Sequence, residues 1–196
     1  MKNIITALAA LLVLSGCSKE QPGMENEPAI ILPAEIFTEY KIAEGSHYCN
    51  LSAVTPITRT QMLFKVRFDS SAIYTSLDPQ NQYDINKLYG FSEGYDPHVN
   101  SARIGWSYNY GKLRLYAYVY SNGVRSSLEI CSVNLFDTIS CAILVKNDQY
   151  VFSVNNVQVQ LSRALSGALT NGYQLFPYFG GDETAPHAIR IWIKDL

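Results

Sequence analysis

His98, Asn100 and Arg103 fall within six residues, directly after the turn sequence Tyr95-Asp96-Pro97. An imidazole, an amide and a guanidinium at that spacing are the groups that β-elimination of a uronate polymer needs. One group neutralises the sugar carboxylate, a base takes the C5 proton, and an acid serves the leaving oxygen. In that scheme Asn100 and Arg103 neutralise, His98 is the base and a tyrosine is the acid. The same residues also suit an ordinary turn. Asp96-Pro97 would start it, and His98 and Asn100 would bond nearby backbone.

A second set of residues suits binding. Arg67, Arg103, Arg114 and Arg190 occupy polar positions of alternating segments, together with Lys65 and Lys194. Tyr116, Tyr118, Tyr120 and Trp192 share those positions. Aromatic rings stack on sugars, and guanidinium groups bind carboxylates or sulfates at two points. Arg67, Arg103, Arg114, Tyr116, Tyr118, Arg190 and Trp192 are therefore expected to line one sheet and bind an anionic polysaccharide. A plain solvated face is the alternative, because Lys, Arg and Tyr favour exposed strand positions.

Other chemistries find less support. Glycoside hydrolysis needs two carboxylates across the scissile bond. No E-x-D-x-E string occurs, and Glu129 is the main acid on a strand. Gly180-Gly181-Asp182-Glu183 is a Gly-rich acidic loop, so Asp182 and Glu183 could hold a structural Ca²⁺, or simply form an exposed turn. No other cofactor is indicated. His47, His98 and His187 are far apart and no paired cysteines occur, which argues against zinc. No Ser or Cys nucleophile motif and no phosphate-cradling loop appears.

These residues need strands to position them. Met62, Phe64, Val66 and Phe68 alternate with Lys65 and Arg67. Leu113, Leu115, Ala117 and Val119 alternate with Arg114, Tyr116, Tyr118 and Tyr120. Ile189, Ile191 and Ile193 alternate with Arg190, Trp192 and Lys194. A period of two predicts half-buried antiparallel strands. Further strands are predicted over 36–43, 102–109, 124–133, 139–146, 149–154, 157–162 and 173–179. Asn109-Tyr110-Gly111, Asn122-Gly123, Asn147-Asp148 and Asn155-Asn156 read as the turns between them. The pattern predicts an all-β, two-sheet antiparallel sandwich over 36–196, with one short helix near 162–169.

The stretch CAILVKNDQYVFSVNNVQVQ, within 140–161, resembles consecutive strands of the concanavalin A-like jelly roll. That fold serves legume-type lectins, β-glucanases and several polysaccharide lyases. HVNSARIGW (98–106) and FPYFGGDETAPH (176–187) resemble segments of exported Bacteroidota proteins with this fold. The resemblance implies a jelly roll and leaves activity open.

The amino terminus gives an address. Lys2 precedes an apolar run from Ile4 to Leu14, then Ser15, Gly16 and Cys17. The run suits a secretory signal over 1–16 and is too short to span a bilayer. Leu14-Ser15-Gly16-Cys17 resembles the lipobox of bacterial lipoproteins, which implies cleavage before Cys17 and its lipidation. Residues 17–35 read as a flexible tether, with three prolines and four glutamates. Ser18 after the cysteine implies an outer-membrane or cell-surface location, with membrane contact through the lipid alone. Without Lys2 and the tether, 13 basic and 13 acidic residues remain, so the body is neutral. That argues against nucleic acid as a partner. Cys49, Cys131 and Cys141 leave at least one thiol unpaired in an exported chain, and Cys131 and Cys141 could face each other on neighbouring strands.

Three functions remain open. The chain binds an anionic polysaccharide, cleaves one as a lyase through His98, Asn100 and Arg103, or is a non-catalytic structural or adhesion protein. Binding without catalysis is the leading expectation.

Overall fold

The computed structural model describes residues 35–167, 169 and 171–196. The signal over 1–16, Cys17 and all of the tether except Glu35 lie outside the described residues. The chain divides into Met1–Ala34 and Glu35–Leu196, and the described residues belong to the second unit.

That unit is a sandwich of two six-stranded antiparallel sheets. The strands are β1 (Thr38–Ile42), β2 (Pro56–Ile57), β3 (Gln61–Phe68), β4 (Asn86–Ser92), β5 (Ser101–Asn109) and β6 (Lys112–Ser121). They continue with β7 (Val124–Val133), β8 (Ile139–Lys146), β9 (Gln149–Val154), β10 (Val157–Ser162), β11 (Gly172–Leu175) and β12 (Ile189–Asp195). The first sheet runs β1-β12-β3-β8-β9-β10, and the second runs β2-β11-β4-β5-β6-β7.

Alternation explains the core. Met62, Phe64, Val66 and Phe68 point inward from β3, and Ile189, Ile191 and Ile193 from β12. Ala102, Ile104 and Trp106 meet them from β5, with Leu113, Leu115, Ala117 and Val119 from β6. The Phe68 and Trp106 rings sit 5.5 Å apart across the sheets, and Phe64 lies 5.1 Å from Tyr89. Each such large apolar side chain stabilises the fold by roughly 1.5–3 kcal/mol when fully buried.

Two-residue turns set the hairpin registers. Asn122-Gly123 and Asn147-Asp148 place both residues at positive φ, as do Tyr110 and Gly111. Paired positive φ values match the right-handed twist of the flanking strands.

Three expectations need correction, and two strands, β2 and β4, are not among those predicted. β4 carries no period-two signal, because nearly all of its residues are buried and its register shifts between Lys87 and Tyr89. β11 ends at Leu175, two residues before Pro177, which has no N–H to give a ladder. The described residues of 163–169 are not helical. Arg163 turns inward to Glu93, and Gly167 takes a positive φ that breaks a helix. Finally, Cys131 lies on β7 in the second sheet and Cys141 on β8 in the first, and both are free, as is Cys49. Burial pushes the Cys49 and Cys141 thiols up, which disfavours their thiolate forms.

Candidate functional site

The site grows from the outer face of β5. Ala102, Ile104 and Trp106 enter the core, so Arg103 must point to the opposite face. Arg103 pairs in register with Gly90 of β4 and with Tyr118 of β6. A Cβ on Gly90 would lie 2.1 Å from the Ala102 carbonyl oxygen, so glycine permits this close strand approach. Lys87 of β4 stands opposite Gly105, two residues along β5. Its backbone exchanges two 2.9 Å hydrogen bonds with Tyr178, which brings that ring over the same face.

Together these residues line a cleft of about 580 Å³. Lys87, Arg103, Tyr118 and Tyr120 line it from β4, β5 and β6, and Tyr173 and Tyr178 from β11 and the segment after it. His98 and Arg125 line it as well, and the His98 ring lies 5.2 Å from that of Tyr120.

The electrostatics of the cleft are lopsided. Arg103 is only 8% exposed. Among the described residues its Nε has no hydrogen-bond partner, and the side chain joins no ion pair. Burial pulls its pKa below the usual arginine range, against the opposing effect of nearby tyrosines. Burial, then the charge of Arg103, brings Lys87 down to about 8. The Lys87 Nζ sits 5.1 Å from the Tyr118 ring centre and 5.8 Å from that of Tyr178. Burial also pushes Tyr118 up to about 12 and raises Tyr173 and Tyr178. Those hydroxyls stay protonated at neutral pH and can donate. Asp182 is the one carboxylate among the described lining residues. Two desolvated cations, of which only Lys87 feels a nearby carboxylate, Asp84, stand among tyrosines, an arrangement that could pair with an anion and stack on a ring.

The seven residues expected on one face divide between the sheets. Arg103, Arg114, Tyr116 and Tyr118 lie on the second sheet, and Arg67, Arg190 and Trp192 on the first. Alternation reveals the face of a strand but not its sheet. Arg67 donates to Thr138 Oγ1 at 2.7 Å and covers the Phe37 ring. Arg190 pairs with Asp69 at 2.7 Å and lies over Trp192. On the second sheet, Arg114 pairs with Glu129 at 2.7 Å and the Tyr116 hydroxyl meets Ser107 Oγ at 3.0 Å, away from the cleft.

His98 reaches the cleft, but with a side chain 71% exposed and 3.5 Å from Asp96. Asn100 does not reach it. That residue is buried, and its Oδ1 accepts from the Asn122 backbone at 2.9 Å, holding the β6–β7 turn. Asp182 lines the cleft, whereas Glu183 accepts from the backbones of Leu77 and Asp78 and from Asn81. Those bonds hold the Glu183 carboxyl below its usual range. No group of three or more metal-ligating side chains occurs among the described residues.

Sequence reasoning missed Lys87, Arg125, Tyr173 and Tyr178. Tyr173 sat in a predicted strand and Tyr178 in FPYFGG, but nothing linked either to Arg103. Lys87 gave no signal because β4 itself lacked one.

No protein-family model matches the chain, and no curated protein matches its sequence. Solved structures do. The chain is similar to the alginate lyase AlyC3, with 13% identity and a TM-score of 0.52 over 82% of this chain and 75% of that one. It is also similar to a glycoside hydrolase family 16 endo-glucanase from Bacteroides ovatus, with 9% identity and a TM-score of 0.51 over 82% and 80%. Likeness at such identities establishes the architecture: a concanavalin A-like jelly-roll sandwich.

Proposed function

We propose that this protein binds an anionic polysaccharide, with a uronate carboxylate seated between Arg103 and Lys87. The observation that carries this reading is Arg103, a buried guanidinium with no counter-ion and an unused Nε donor among the described residues. A buried donor without a partner costs about 1–3 kcal/mol. A ligand carboxylate would relieve that cost and the repulsion from Lys87 together. Tyr118, Tyr173 and Tyr178 supply ring faces and protonated hydroxyls for the sugar. An alginate lyase and an endo-glucanase share the fold, which supports a polysaccharide as the ligand class.

One observation favours a second reading, β-elimination. His98, Arg103 and Tyr120 line one cleft, although Asn100 does not join them. His98 would take the C5 proton while Arg103 holds the carboxylate. The C5–H electrons would form the C4–C5 double bond as the C4–O bond breaks, and a tyrosine would protonate the departing oxygen. The described lining residues offer no facing carboxylate pair for hydrolysis.

The signal and Cys17 support a lipid-anchored protein at the outer membrane or cell surface. Palmitate labelling should mark the chain and fail on Cys17→Ser; label retained by that variant would refute the anchor.

The binding test is calorimetric titration of the full chain with polymannuronate, a sulfated glycan and a neutral glucan. Polymannuronate should bind, more weakly at physiological than at low salt, because the cleft is open to screening ions. The neutral glucan should bind far less. Unsaturated product appearing in the ultraviolet, and lost in His98→Ala, would establish the lyase reading. Absence of binding to every glycan would leave the adhesion reading.

A further inference from the structure

Beyond the cleft lies a pair of tyrosines that the fold does not use. Tyr83 and Tyr110 are 56% and 76% exposed, and their hydroxyls meet at 3.0 Å. Their ring centres lie 5.7 Å apart, with planes inclined at 49°. Neither ring is buried in the core, so hydrophobic burial does not account for them.

The position of Tyr110 is unusual for its type. It is the first residue of the β5–β6 turn, at φ 49°, followed by Gly111 at 69°. Such turns favour Asn, Asp or Gly at that point, and a bulky residue at positive φ is an outlier. Local propensity therefore argues against tyrosine there. On its other side the Arg114 guanidinium lies 5.9 Å from the ring centre. The Arg114–Glu129 ion pair fixes that guanidinium.

Tyr83 is also continuous with the cleft. Tyr83 lines a second cavity of about 220 Å³, beside Asp84 and Ser127. Lys87, Tyr118, Arg125 and Gly181 line both this cavity and the main cleft. The shared lining leads from His98, past Arg103 and Lys87, to Tyr83, whose hydroxyl meets that of Tyr110.

We propose that Tyr83 and Tyr110 form an outer stacking platform for a sugar ring further along the same polysaccharide chain. The proposal rests on the cleft reading and adds that the ligand is an extended oligomer bound at two unlike points. The inner point recognises charge through Arg103 and Lys87. The outer point recognises a ring face and offers no free cation, because Arg114 is already committed to Glu129. Affinity therefore rises with oligomer length, while salt dependence stays with the inner point.

The test titrates the full chain with mannuronate oligosaccharides of two and six units, comparing wild type with Tyr110→Asn and Tyr83→Ala. Asn suits the turn, so Tyr110→Asn keeps the fold. Wild type should bind the hexamer more tightly than the dimer. Each variant should lose roughly 2- to 10-fold for the hexamer and nothing for the dimer, with an unchanged salt slope. Equal hexamer and dimer affinity in wild type, unchanged hexamer affinity in both variants, or an equal loss for the dimer would overturn the platform alone. Absence of wild-type binding to either oligomer would overturn the cleft reading and the platform with it.

Discussion

Lys87 and Arg103 give the cleft its character, and Lys87 makes that character depend on pH. Burial and the neighbouring guanidinium lower the Lys87 pKa to about 8, so the folded protein holds that proton less tightly than the unfolded chain does. The cost of the buried cation is therefore present below pH 8 and fades as pH rises through it. Ligand binding has the opposite preference. A uronate carboxylate is ionised throughout this range, and it attracts Lys87 only while the amine is charged. Affinity for polymannuronate should fall as pH rises from 7 to 9, and Lys87→Met should remove that step. A pH-independent affinity in wild type would contradict the role of Lys87. At this scale the sequence is uneven. Arg103 is legible because it follows a turn and sits at a polar alternate of a clear strand. Lys87 is not, because the register shift after it and the burial of its strand on both faces erase the alternation.

Among the elements, the wall of the cleft depends on a buried ion pair. Arg163 donates through Nε and Nη2 to both oxygens of Glu93, at 2.7 and 2.6 Å. The Tyr150 hydroxyl donates to the same carboxylate at 2.5 Å. The Arg163 and Glu93 side chains are 0% and 1% exposed. This cluster fastens the segment after β10 to the end of β4, just ahead of β11, which lines the cleft. Glu93→Gln removes the carboxylate that takes two guanidinium bonds. It should cost about 3–5 kcal/mol in urea denaturation, and adding Arg163→Met should recover much of the loss. A loss below about 1 kcal/mol would show that the pin contributes little. Ten of the strands follow from alternation and from Asn- and Gly-bearing turns. The exceptions have physical causes: β2 spans two residues, and β4 is covered on both faces. The short helix expected over 162–169 fails because its arginine is needed inside, a tertiary demand that local propensity cannot reveal.

Across the whole molecule, charge is sorted by place: the cations of the cleft differ from the ion-paired ones outside it. On the first sheet, Lys65 and Lys194 share Glu35, Arg190 takes Asp69, and Arg59 near the sheet edge takes Asp195. On the second, Arg114 takes Glu129, whereas Lys87 and Arg103 in the cleft have no ion-pair partner among the described residues. A neutral composition hides this sorting, because the sum says nothing about which cations are satisfied. The jelly roll was legible and the identity of the binding face was not, since sheet membership is decided by strand order. The unpaired cations are a cost to folding, of the kind that functional sites retain. The most direct measurement compares wild type and Arg103→Met in two ways, by thermal melting without ligand and by titration with polymannuronate. Removing a buried, unpaired guanidinium should stabilise the fold by about 1–3 kcal/mol while abolishing binding. A variant that melts lower and binds as tightly as wild type would contradict the assignment of Arg103 as the anion site.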